Sequence, residues 1–130
     1  MRLLSDDTIA ALNIWMEARG EPFDGKVAVA EVIRNRLKTG RWGNTIVHVV
    51  LAPYQFSGWN TKDPNRIQAL LLDDSDPQYQ ECLRAWNTAK SNTNFAKGAL
   101  FYFNPQLAAP DWAHTQTLLA TIGNHQFYSG

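Results

Sequence analysis

Two helix-period runs, residues 6 to 18 and 24 to 40, are separated only by Arg19-Gly20-Glu21-Pro22-Phe23. They confine the start of this chain to a helix, a tight turn and a second helix. Ser5 ahead of Asp6 and Asp7 reads as a helix start, with Leu4 and Ile9 spaced as the two arms of a hydrophobic staple. Ile9, Leu12 and Met16 share one stripe, and steps of about 100° per residue bring Asn13 and Glu17 together on its edge. The first helix is therefore expected to be amphipathic, to run from Asp6 to Ala18, and to hold Glu17 on its last turn at the border of the core. Asp24 is expected to cap the second helix, which passes through Val27, Ala30, Ile33 and Leu37 to a stop at Gly40.

Residues 41 to 62 form an irregular aromatic segment with a short helix over Thr45 to Leu51, ended by Pro53. Asp63-Pro64 and Asp76-Pro77 repeat one signature, a capping Asp before a Pro at the first helical position, and predict helices near 64 to 73 and 77 to 91. In the latter, Tyr79, Leu83 and Trp86 form a core stripe. The run Ala99-Leu100-Phe101-Tyr102-Phe103 reads as a strand, with Gln126-Phe127-Tyr128 as its antiparallel partner. The fold class that results is α+β, mainly α, with a small antiparallel β-hairpin near the C-terminus.

At 130 residues the chain suits one domain, 1–130, in which a single core must serve both binding and chemistry. Lys plus Arg and Asp plus Glu number 12 each, a balance that argues against a nucleic-acid partner. Cys82 is the only cysteine, which excludes an internal disulfide and reads as a small core residue. There is no signal-peptide run at the N-terminus and no stretch of ~18 unbroken apolar residues, so a cytoplasmic product without membrane insertion is expected.

His48, His114 and His125 lack metal-ligand spacing, and no nucleophile elbow, phosphate loop or dinucleotide fingerprint occurs; no metal or cofactor is expected. What remains is carboxylate chemistry. A Glu held against an apolar wall keeps its proton toward neutral pH and can hand it to a leaving oxygen, which makes Glu17 the first candidate; a solvated helix-end carboxylate paired with Arg19 or with a charge on the second helix is the alternative. Glu21, near the start of the second helix, also has a plain reason to be acidic. Glu31 is a third candidate, with a pairing to Arg34 or Asn35 as its ordinary explanation. The segment Tyr54-Gln55-Phe56-Ser57-Gly58-Trp59-Asn60 mixes aromatic, amide and hydroxyl groups as a sugar site does, or is pinned to the core by Phe56 and Trp59. Phe101-Tyr102-Phe103-Asn104-Pro105 admits the same two readings. His125 either serves a substrate or is an ordinary hydrogen-bonded histidine.

In order along the chain, Trp15-Met16-Glu17-Ala18-Arg19-Gly20-Glu21-Pro22 is followed by Gly25 to Arg36, Gln55-Phe56-Ser57, Phe101 to Pro105, Trp112-Ala113 and Ile122 to Tyr128. These segments resemble the SleB-type cell wall hydrolases, the spore-cortex-lytic enzyme family, over residues ~9 to 128. The resemblance implies a lysozyme-like fold related to lytic transglycosylases and goose-type lysozymes. It also implies cleavage of the β-1,4 bond between N-acetylmuramic acid and N-acetylglucosamine in peptidoglycan, with Glu17 as the catalytic acid and Glu21 structural or substrate-orienting. Glycosidases ordinarily use two carboxylates, about 5 Å apart when retaining and wider when inverting. With one strong candidate, a lytic transglycosylase forming a 1,6-anhydro ring is expected, Glu17 acting first as acid and then as base. Gln55, Ser57 and Tyr102 are then expected to orient the sugar, Trp59 and Phe103 to flank it, and Phe56 and His125 to complete the site.

The expected partner is the peptidoglycan glycan strand, met by a monomer. Spore enzymes of the family carry a signal sequence and often a wall-binding domain, whereas this chain opens almost at the catalytic helix. That layout is expected of a phage or prophage endolysin, made in the host cytoplasm and reaching the wall after holin-type release. The alternatives from other classes are an N-acetylmuramoyl-L-alanine amidase and a non-catalytic glycan-binding or phage structural domain.

Overall fold

Ser5 starts the first helix as its position predicts, its Oγ accepting the Thr8 N–H at 3.2 Å, and α1 (Asp6–Ala18) carries Asp6 and Asp7 in its first turn, where the helix dipole favours them. The protein is described from a computed structural model covering residues 4–52, 59 and 63–130. From Ile9 to Met16 every residue of α1 is buried, so the helix is not the one-sided amphipath expected from its stripe. It forms the axis of the domain, with α2 (Phe23–Thr39), α3 (Ile46–Leu51), α4 (Pro64–Leu70) and α5 (Pro77–Ala89) all packed on it. Ala10, Ala11 and Asn13 blur the apolar pattern because small side chains and a hydrogen-bonded amide fit against neighbouring helices as well as a Leu does.

Pro22 occupies the cap of α2 and makes no side-chain cap, so Asp24 lies inside the first turn and acts through the dipole instead of capping. Gly40, at φ +71°, closes α2 by donating its N–H to the Leu37 carbonyl. Thr45, Asp63 and Asp76 each accept a backbone N–H at the start of α3, α4 and α5. α4 and α5 end at Leu70 and Ala89, earlier than expected; beyond α4, the Asp73 carboxylate takes the Ser75 N–H and hydroxyl and commits the chain to a turn. On α5 the buried stripe is Tyr79, Cys82, Ala85, Trp86 and Ala89. Burial pushes the Cys82 thiol up to about 12, consistent with a core residue.

The sheet has three antiparallel strands in the order β1-β3-β2: β1 (Phe101–Phe103), β2 (Leu118–Ile122) and β3 (His125–Tyr128). The expected pairing of residues 101–103 with 126–128 is present. β2 adds a third strand to the expected hairpin, with a register irregularity between Leu118 and Ala120. Pairing of Tyr102 with Phe127 puts Tyr102, His125 and Phe127 on the face turned to the helices. Phe101, Phe103 and Tyr128 occupy the other face, where Trp112, on a single 3-10 turn (Asp111–His114), covers Phe103 and Tyr128 edge-on at 5.5 Å.

Two sets of contacts tie sheet to helices. Glu31 of α2 accepts the Thr93 hydroxyl (2.6 Å) and the Phe95 and Ala96 N–H groups (3.0 and 2.7 Å), while Asn35 and Arg36 donate to the Ala99 and Leu100 carbonyls. Glu31 thus pairs with neither Arg34 nor Asn35; it steers the chain into β1. Glu21, in the α1–α2 turn, accepts the Asn124 N–H on Oε1 (2.8 Å) and its side-chain amide on Oε2 (2.9 Å), fixing the β2–β3 turn. That turn depends on Gly123, whose φ is +57° and whose added Cβ would lie 2.7 Å from Glu21 Oε1 and 2.9 Å from Pro22 Cδ. Gly123→Ala combines backbone strain with overpacking and is expected to cost about 2 kcal/mol or more, read as a lower urea midpoint at an unchanged m value.

Candidate active site

Glu17 sits where the buried axis helix runs out, between Met16 and Ala18, both buried, and is itself only partly covered. From β1, Tyr102 reaches across 85 residues of sequence and donates its hydroxyl to Glu17 Oε1 at 3.0 Å. Among the described residues, Oε2 carries no hydrogen bond. Burial raises the Glu17 pKa above its ordinary value; the Tyr102 hydrogen bond and the Arg36 charge oppose that rise, and Asp63 adds to it. Burial first, then the Glu17 charge, hold the Tyr102 phenol well above its usual range, so it remains a donor at neutral pH.

Behind Tyr102 lies a second buried group. The His125 ring meets the Tyr102 ring edge-on at 5.1 Å, and its Nδ1 stands 3.4 Å from Glu21 Oε1. Burial lowers the His125 pKa and Glu21 opposes it, so the ring is held toward its neutral form. His125 is 7% exposed and Glu21 9%; both are buried, His125 against Tyr102 and Glu21 against the β2–β3 turn, and neither presents the open surface expected of a sugar contact. Phe103 follows Tyr102 on the strand and lies on the opposite face, stacked on Tyr128 at 5.5 Å. It is not brought to Glu17.

Trp59 is partly buried and donates its indole N–H to Asn13 Oδ1 at 3.0 Å. Asn13 lies one helical turn before Glu17, so Trp59 stands on the α1 face leading to the carboxyl. Gln55, Phe56 and Ser57 fall outside the described residues.

Three contributors are legible in the sequence only as a stripe-edge residue, a helix cap and a helix residue. Asn13 is fully buried in α1, and Asp63, whose carboxylate caps α4, acts on Glu17 from that helix start. Arg36 is 3% exposed, donates Nε to the Leu100 carbonyl at 2.7 Å, and places its guanidinium 4.7 Å from the Trp42 ring centre and 5.3 Å from that of Phe101. A legible signal existed for Arg36: it extends the buried stripe of Val29, Val32 and Ile33, where a cation needs a reason. Chemically the ensemble is a carboxyl biased toward its protonated form, oriented by a phenol and within the electrostatic field of a buried cation. It suits proton delivery to a leaving oxygen.

A family model described as Cell Wall Hydrolase matches residues 20–128, beginning just after Glu17. The chain is 34% identical over 123 residues to the spore cortex-lytic enzyme of Oceanobacillus iheyensis, and 30% identical over 127 residues to that of Bacillus subtilis. Each comparison covers 95% of this chain but only 41% and 37% of those proteins, so the chain spans about two-fifths of their length. Among solved structures, the catalytic domain of the germination-specific lytic transglycosylase SleB from Bacillus anthracis matches with a TM-score of 0.80 at 31% identity, over 95% of this chain and 93% of that one. The catalytic domain of the Bacillus cereus SleB protein matches equally well, at 30% identity over 95% and 89%. The mainly helical architecture with its small sheet is thus the lysozyme-like fold of those domains.

Proposed function

The chain belongs to the cell wall hydrolase family, and from that membership and the surroundings of Glu17 we propose that it is a peptidoglycan-degrading glycosidase of the lytic transglycosylase type. The bond cleaved is the β-1,4 link between N-acetylmuramic acid and N-acetylglucosamine. One observation carries this reading: Glu17 is a single carboxyl with raised proton affinity, while Glu21 and Glu31 are spent on Asn124 and on residues 93 to 96, and Asp63 caps α4. In the first step Glu17 gives its proton to the glycosidic oxygen as the bond to the muramoyl C1 breaks. In the second, the Glu17 carboxylate takes the proton of the muramoyl 6-hydroxyl while that oxygen bonds to C1, closing the 1,6-anhydro ring and restoring the acid. No water is consumed. Tyr102 keeps Oε1 occupied so that Oε2 performs both transfers, and Trp59 supplies an aromatic wall for the saccharide.

The endolysin setting is proposed alongside, supported by the same wall-degrading chemistry. Lysis of a host that co-expresses a pore-forming membrane protein, and none without it, is the expected outcome; lysis without the pore overturns it.

Digestion of purified sacculi followed by mass spectrometry of the fragments tests the reaction. Anhydromuramoyl ends, one water lighter than the hydrolysed ends, are expected. Reducing muramoyl ends would replace transglycosylation with hydrolysis by the same acid, and freed peptides with new amino termini would overturn the glycosidase reading.

A further inference from the structure

Arg36 is a cation in the core, where an unpaired charge is strongly destabilising. Its surroundings are built to receive it: the Leu100 carbonyl takes Nε at 2.7 Å, the faces of Trp42 and Phe101 lie beside the guanidinium, and Glu17 and the Tyr102 hydroxyl lie within electrostatic reach. A planar, weakly hydrated guanidinium fits such a pocket better than an ammonium, because it can stack on rings and still direct an N–H to a carbonyl. The same side chain also tethers α2 to the start of β1. Leu100 is two residues from Tyr102, and its own N–H is held by the Tyr128 carbonyl at 3.0 Å. Movement of Arg36 therefore moves the strand that carries the Tyr102 hydroxyl to Glu17.

We propose that Arg36 is a positioning residue for the acid: it fixes the strand that aims Tyr102 at Glu17 and is the resident counter-cation of the Glu17 carboxylate in the half of the cycle when its proton has left. The inference rests on Glu17 being the acid. Burial favours the protonated form only, so a group that must alternate between acid and carboxylate needs a compensating charge close by. Among the described residues, the groups acting on Glu17 are Tyr102 from β1, Arg36 from α2 and Asp63 from the start of α4. Tyr102 and Arg36 favour the carboxylate, and Asp63 disfavours it. Arg41, the other cation acting on Arg36, is exposed and lies over the same two rings at 4.7 and 5.5 Å. It adds repulsion that Glu17 offsets, and burial leaves the Arg36 pKa lowered only to about 10, so the guanidinium remains charged at neutral pH.

The test reads Glu17 directly, without relying on activity. The carboxyl carbon of Glu17 is titrated by carbon-13 NMR in the wild type and in Arg36→Met, Arg36→Gln and Arg36→Lys, and the pH profile of peptidoglycan cleavage is recorded in parallel. In the two neutral variants the Glu17 midpoint is expected to rise by about one unit, tenfold in proton affinity, and the rising limb of the pH profile moves with it. Arg36→Lys restores the midpoint to within about half a unit yet lowers kcat, because a lysine does not reproduce the fork that holds Leu100. An unmoved midpoint in the neutral variants overturns the proposal. If neither neutral variant folds, Arg36→Lys decides: a midpoint within about half a unit of the wild type supports the counter-charge, and a rise of about a full unit, as large as loss of the charge itself would give, overturns it. A shifted midpoint together with full cleavage by Glu17→Gln would retire the acid and keep the pairing. A fixed midpoint with cleavage lost in Glu17→Gln would retire Arg36 alone.

Discussion

Glu17→Gln is expected to lose peptidoglycan cleavage by at least ~10²-fold and, at neutral pH, to melt at a higher temperature than the wild type. The loss follows from the role: positioned general acids contribute roughly 10² to 10⁴-fold, and here one group serves two transfers. The glutamine keeps the shape and an oxygen to accept the Tyr102 hydroxyl, so the fold has no reason to change. The gain in stability has a sign that can be worked out. Burial first of all raises the pKa of Glu17 from its ordinary 4.5, so between that value and the raised one the folded state binds more protons than the unfolded state. Stability is then fully present below pH 4.5 and declines as the pH rises through the folded-state value. Glutamine has no proton to lose and escapes that decline. Thermal melts at pH 4 and pH 7 should show the two proteins converging at the acidic end, and release of muropeptides measures the activity. A variant that cleaves normally, or whose melting difference does not vary with pH, sinks the assignment of Glu17 as a strained acid.

How much of this was legible in the sequence depended on whether the cause was local. Ser5, Asp63-Pro64, Asp76-Pro77 and Gly40 each settle a helix end through atoms a few residues away, and each works as read. Asp24 did not, because Pro22 begins α2 earlier than a capping Asp would. The all-round burial of α1 could not be seen in Ala10, Ala11 and Asn13, since nothing in a small side chain announces how many neighbours surround it. The site shows the same divide. Glu17 and Tyr102 were both named, but their contact spans 85 residues and arises from α2 steering the chain into β1. Strand alternation already implied that Phe103 faces away from Tyr102, a step that needed only the strand assignment. Arg36 and Asp63 required the packing of α2 and of the α4 start against the end of α1.

Glu31, once a rival for the acid, gives the second large effect, and it is one of stability. At 4% exposure its carboxylate accepts the Thr93 hydroxyl and the Phe95 and Ala96 N–H groups, and Ala96 is fully buried. Glu31→Ala leaves these donors without their acceptor, and hydrogen bonds to a charged group are worth about 1.5–3 kcal/mol each. A loss of ~3–5 kcal/mol is expected, a large share of the 5–15 kcal/mol that holds a typical domain folded, and for a chain of this size a melting temperature lower by roughly 10–20 °C. Glu31→Gln should fall between, because its amide keeps one acceptor but presents N–H to N–H where the second stood. The consequence for activity separates the two glutamates. Residues 93 to 100 deliver Tyr102, so Glu31→Ala weakens cleavage as its fold loosens, and activity assayed well below its melting temperature should recover most of the way. Glu17→Gln should show the reverse, an intact and more stable fold with cleavage reduced at least ~10²-fold at every temperature. If Glu31→Ala instead kept its melting temperature and lost cleavage, Glu31 would take the acid's role and the single-carboxylate mechanism would have to be rebuilt around it.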